Sequence, residues 1–115
     1  MTTFLGRYAD VESHLAGLRD RGLDVRVVRA ARGKDAILDA FAEALELPDW
    51  FGRNWDALVD ALRDVEGRDG RAVEIVWDRA RRLREDDPQT YATVLDILEQ
   101  VAGERDDLGI TVIAR

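Results

Sequence analysis

A small α/β domain on a three-stranded parallel sheet is the fold this sequence predicts, and three observations predict it. Short β-branched runs occur at Asp24 to Ala30 (DVRVVRA), Ala72 to Trp77 (AVEIVW) and Ile110 to Ala114. Segments with apolar residues at helical spacing lie between these runs. The separations are too long for hairpins, and crossovers through helices leave successive strands parallel. A hydrophobic fraction of 46% over 115 residues is enough for one domain, residues 1–115, with its own core.

The elements follow in order. A first helix is expected from about Asp10, a candidate N-cap, to Arg21, with Val11, Leu15 and Leu18 as its stripe and Gly22 as its stop. After the first strand, Ile37, Leu38, Phe41, Ala42 and Leu45 give a helix over about Lys34 to Leu45, which Pro48 prevents from continuing. A loop over Pro48 to Arg53 leads to a helix opened by Asn54 as N-cap, with Leu58, Ala61, Leu62 and Val65 turned inward. The stretch EGRDGR ends that helix before the second strand. Arg79 to Arg84 reads as a short helix or a connector, and Asp87 and Pro88 as N-cap and N1 of a last helix. Tyr91, Val94, Leu95, Leu98 and Ala102 form its stripe, and a loop over Gly103 to Gly109 precedes the third strand.

Charge narrows the function. The net charge is −7, so phosphate backbones are repelled and nucleic acid is not an expected partner. The same charge suits a basic protein partner, whose encounter it accelerates, although it also serves solubility. No apolar run reaches membrane-spanning length, and MTTFLGRYADVESH has no basic start followed by an apolar stretch, so a cytoplasmic location is expected. Without cysteine there is no disulfide, thiolate metal site or cysteine nucleophile.

Enzyme chemistry finds little support. His14 is the lone histidine and is expected to face solvent on the first helix. No EF-hand spacing and no glycine-rich phosphate loop is present, so neither metal nor cofactor is expected. Arg79, Arg81, Arg82 and Arg84 form a basic cluster that could touch phosphate, or could pair with Glu85, Asp86 and Asp87. The row Asp35, Asp39 and Glu43 reads as the solvent side of a buried helix.

The informative segment is Leu47 to Asp64, LPDWFGRNWDALVDALRD. Asp56, Asp60 and Asp64 recur at i, i+4 along one helix side, which costs an isolated helix a few tenths of a kcal/mol per pair (roughly). Asp56 gains from the helix dipole, whereas Asp60 and Asp64 gain little. A positively charged partner would explain the row. Trp50 and Phe51, between a proline and a glycine, fall outside any stripe, so at least one of them is expected to be accessible, whereas Trp77, Phe41 and Tyr91 are expected to be structural. An exposed aromatic beside a row of Asp has the composition of a binding hot spot.

Over LPDWFGRNWDALVDAL, and more weakly over AVEIVWDRA, TVLDILEQ and ITVIAR, the chain resembles the barstar family of ribonuclease inhibitors. The resemblance starts at about Asp24 and implies a three-stranded parallel sheet with packed helices, preceded here by an extra N-terminal helix. It implies a non-enzymatic protein that covers the active site of a basic secreted ribonuclease, or ribonuclease toxin, one-to-one. Asp60 would be the central acidic contact, standing where a substrate phosphate would sit, and Asp56 a second. Trp50 and Phe51 match an aromatic pair, and Gly52, Asn54, Trp55 and Ala57 match neighbouring contact or loop-shaping positions. Asp64 extends the row. Val59 stands where the pattern often has tryptophan, and the acidic contact of the last helix falls at Gln100 with Glu99 beside it. The loop GERDDLG is longer than the family pattern leads one to expect. The alternative is an acidic interaction module on the same fold with a different basic partner, and a carboxylate-dependent hydrolase is a distant third.

Overall fold

Where a strand is buried on both faces its side chains are apolar in both directions, and two strands here have that character. In the computed structural model, which describes residues 2–49 and 51–115, Val73, Ile75, Val76 and Trp77 of β3 (Val73–Trp77) are all buried. So are Leu108, Ile110, Val112 and Ile113 of β4 (Leu108–Ile113), which pairs with it in parallel. β2 (Asp24–Val28) pairs with the other side of β3, Asp24 opposite Val73 and Val28 opposite Trp77.

The sheet has four strands rather than three. β1 (Thr2–Leu5) lies parallel to the outer side of β4, with Thr2 opposite Ile110 and Leu5 opposite Ile113, giving the order β1-β4-β3-β2. Its four residues, TTFL, are too few to show alternation, and the pairing that makes them a strand is with residues more than a hundred positions away. The segment before Asp24 is therefore a strand and a helix, not a helix alone.

Helices cover both faces. α1 (Val11–Asp20), capped by the Asp10 carboxylate accepting from Ser13 N, sets Val11, Leu15 and Leu18 against Val76 and Ile113, with Leu5, Val25 and Val27 around them. α2 (Gly33–Ala44), α3 (Trp55–Asp64) and α5 (Pro88–Glu104) cover the opposite face, where Phe41, Leu58, Leu98 and Trp77 share the larger core. Tyr91 stacks on Trp77 with ring centroids 5.2 Å apart. Asp87 caps α5 by accepting from Thr90 N.

Other details correct the sequence expectations. Arg81 to Asp86 forms α4, a six-residue helix along which Arg81 pairs with Glu85 and Arg82 with Asp86. α5 runs to Glu104 and β4 begins at Leu108, so only Arg105 to Asp107 remains as loop. His14 does not face solvent freely. It is half-buried, and its Nε2 lies 3.1 Å from the Thr111 hydroxyl, which donates to Glu74 on β3. A helical pattern marks which residues turn inward, but not that a polar residue beside the stripe meets a polar side chain on the sheet.

Candidate functional site

The local sequence builds the α3 entry tightly. Phe51 N donates to Pro48 O and Asn54 N to Gly52 O, so the loop turns twice before the helix starts. The Asn54 carboxamide oxygen then accepts from Ala57 N at 2.8 Å, satisfying one of the unpaired amides of the first turn. A Cβ at Gly52 would stand 3.2 Å from the Asn54 side-chain nitrogen, so glycine leaves the cap its space.

The periodicity of α3 sorts its residues by face. Leu58 and Leu62 are fully buried, and Trp55 and Val59 are half-buried against the same core. Asp56, Asp60 and Asp64 are exposed. A groove of about 540 Å³ lies between the loop and this helix. Leu47, Pro48 and Phe51 contribute apolar surface to it, Ala57 and Ala61 contribute small side chains, and Asp60 and Asp64 contribute charge.

Five of the expected residues thus share the groove: Phe51, Gly52, Ala57, Asp60 and Asp64. Phe51 is half-buried and packs against the core. Trp50 lies outside the described residues. Asn54 acts as the cap, and Trp55 sits under Lys34, whose Nζ is 5.3 Å from the ring centroid, a cation–π arrangement. Asp56 and Val59 flank the groove without lining it.

Glu99 and Gln100 are exposed on α5 and line no part of this groove. One turn beyond Gln100, Glu104 accepts two bonds at 2.8 Å from the Arg63 guanidinium on α3. That bidentate bond, with a lesser contribution from the Arg63 charge, holds the Glu104 carboxyl below its ordinary value against burial, the next largest influence. Arg63 is correspondingly raised, chiefly by Glu104 and least by the charge of Asp60. Sequence reasoning missed this α3–α5 clasp. Arg63 stands three residues after Asp60, but nothing local announces a partner 41 positions away. It missed Arg53 as well, whose guanidinium reaches Asp39 on α2 at 2.9 Å. Asp39 is therefore tied to the loop and not a bystander.

Eight carboxylates elsewhere differ from this row, while others, such as Asp35, Glu43 and Glu66, are likewise in no ion pair among the described residues. Among the described residues, the ion pairs engage Asp24, Asp39, Glu46, Asp78, Glu85, Asp86, Glu104 and Asp107. None engages Asp56, Asp60 or Asp64. Among the described residues no three His, Cys, Asp or Glu side chains converge as a metal site would need, and no helix is long and apolar enough to cross a membrane.

The groove and its acidic helix lie within a stretch, residues 24–114, that matches the family model described as Barstar (barnase inhibitor). The chain belongs to the barstar family. Among curated proteins none matches it significantly. The barstar match begins at the first residue of β2 and leaves β1 and α1 outside it. Barstar is an inhibitor family and not an enzyme family.

Proposed function

We propose that this barstar-family domain, acting as one unit over residues 1–115, inhibits a basic ribonuclease by covering its active site. The enzyme would be a secreted ribonuclease or a ribonuclease toxin of guanyl-specific type, bound one-to-one in the cytoplasm without a cofactor. The observation that carries the reading is the set of three exposed α3 carboxylates, Asp56, Asp60 and Asp64, left without an ion pair, of which Asp60 and Asp64 line a groove with apolar walls at Leu47, Pro48 and Phe51. A ribonuclease pocket holds cations for substrate phosphate, and a carboxylate at the centre of the row can take the phosphate's place. Phe51, Gly52 and Ala57 supply the apolar and close-fitting surface beside it.

The test is a titration of ribonuclease activity with the wild type and with Asp60→Ala, beside a thermal melt of each free protein. Inhibition by the wild type that is lost in a variant with unchanged melting is the expected result. Equal inhibition by both proteins would falsify the phosphate-mimic role of Asp60.

A second reading, an acidic module with another basic partner, draws support from Val59 and Gln100. Val59 packs against the core, and Gln100 carries no charge, so neither offers the contact that the family pattern places there. Capture of a non-nuclease basic protein, with no inhibition across a ribonuclease panel, would favour that reading.

A further inference from the structure

The β1–α1 extension does more than widen the sheet. From β1 the chain leaves toward α1 on one face, from β3 it leaves toward α4 on the other, and β4 ends between them. In open parallel sheets such a divergence leaves a crevice at the carboxyl ends of the strands, where ligands bind. A crevice of about 400 Å³ is found there, within the range of small-molecule sites.

Its lining differs in kind from the acidic groove. Arg7 follows β1, and Arg81 and Arg84 project from α4, so three guanidinium groups face one crevice of a chain whose net charge is −7. Among the described residues neither Arg7 nor Arg84 is in an ion pair, whereas Arg81 already pairs with Glu85. Arg7 and Arg84 are exposed and carry the uncompensated positive charge of the crevice. Phe4 of β1 lines the same crevice and is 57% exposed, with Tyr91 of α5 also in the lining.

We infer that this crevice binds a mononucleotide, its phosphate held by Arg7 and Arg84 and its base laid against Phe4. Guanidinium forks match phosphate oxygens in geometry and charge, and an exposed aromatic ring accepts the face of any base. The acidity of the whole protein opposes a polynucleotide, whose many phosphates would meet it, far more than a single phosphate seated among arginines. The site is independent of ribonuclease inhibition, because it lies on the β1 side of the sheet and uses no residue of α3 or its loop.

The experiment is an amide NMR titration of the full chain with adenosine 5′-monophosphate, inorganic phosphate and adenosine in turn. The expected result is saturable shifts at Gly6, Arg7 and Ala114 with the nucleotide, at a Kd below about 1 mM. The double variant Arg7→Ala/Arg84→Ala should weaken binding at least about tenfold, Phe4→Ala should weaken it less, and Asp60→Ala should leave it unchanged. Both Phe4 and Arg84 are exposed, so these variants should melt as the wild type does. No saturable shift with the nucleotide, or equal binding by the double variant, overturns the site. Adenosine binding as tightly as the nucleotide overturns the phosphate assignment, and inorganic phosphate doing so overturns the base contact.

Discussion

Two acidic regions of this molecule, Asp24 on β2 and the row on α3, show what a carboxylate can be used for in this fold. Asp24, at the start of β2, is 3% exposed and meets two arginines, Arg26 through both carboxylate oxygens and Arg68 through its guanidinium and its backbone N–H. Arg68 reaches on to Glu46, and Arg26 to the carbonyl oxygen of Ala44. That network ties β2, the end of α2 and the turn before β3 together. Asp60 and Asp64 on α3 are exposed and enter no ion pair among the described residues. Arg26 lines the same groove as they do, but its charge is already answered by Asp24. The buried acid is committed to the fold, whereas the exposed acids remain available to a partner.

The strongest test of that contrast is Asp24→Ala. It strands the buried Arg26, which is 7% exposed, and removal of one partner from a buried pair costs about 3–5 kcal/mol. Urea unfolding should show that loss, while the folded fraction still inhibits. A variant as stable as the wild type would show that the Asp24 network contributes nothing. The same carboxylate gives the contrast a pH dependence. Burial pushes the Asp24 carboxyl up, but hydrogen bonds from Arg26 and Arg68 and their charges more than offset it, leaving it below its ordinary 3.8. A depressed folded value stabilises at pH above that figure, and the stabilisation disappears as the pH falls through the folded value. Acid unfolding of the wild type should therefore be steeper than that of Asp24→Asn below pH 3.8.

Asp60→Ala should produce the opposite pattern. Binding weakens by at least about 2 kcal/mol, a threshold general to interface hot spots, of which the barnase–barstar pair is itself a standard example, so the size is carried over rather than calculated. Stability should stay level or rise slightly as like-charge repulsion along α3 is relieved. If both stability and binding fall together, Asp60 belongs with Asp24 and the comparison fails.

Salt should separate the two regions kinetically. Exposed charges are screened beyond a Debye length of about 8 Å at physiological salt, so association with the ribonuclease should slow steeply as salt rises while dissociation changes little. Stopped-flow association rates indifferent to salt would point instead to the apolar wall around Phe51.

The smallest effect belongs to the control. Asp20 ends α1 on the far face of the sheet, outside the barstar match, and Asp20→Ala should leave ribonuclease titration unchanged. Asp39 is unsuitable because Arg53 in the loop is bound to it. Asp39→Ala releases that loop side chain, so an intermediate loss of inhibition, between those of Asp20→Ala and Asp60→Ala, is expected.

The legible parts of the molecule are those where one segment carries its own signal. α3, its Asn54 cap, the buried Leu58 and Leu62 and the exposed acidic row all follow from residues within one stretch. The three strands β2, β3 and β4 follow from β-branched runs, although β4 starts two residues earlier than its run suggests. β1 was not legible, because four residues carry no period and their strand character comes from β4. The clasp of Arg63 by Glu104 and the contact of His14 with Thr111 were not legible either, since each joins groups far apart in the chain.

The amino-acid sequence by itself determined the alternation of strands and helices, the apolar faces that form the two cores, and the acidic row on α3. Each is a periodic or capping property of consecutive residues, so it can be read within one segment. Only the tertiary structure decided which carboxylates stay available. Asp24 and Asp60 are the same residue type, and the strand's own period sets Arg26, two residues on, beside the first. The fold adds Arg68 from 44 positions away, while the surface position of α3 leaves Asp60 facing outward in the groove.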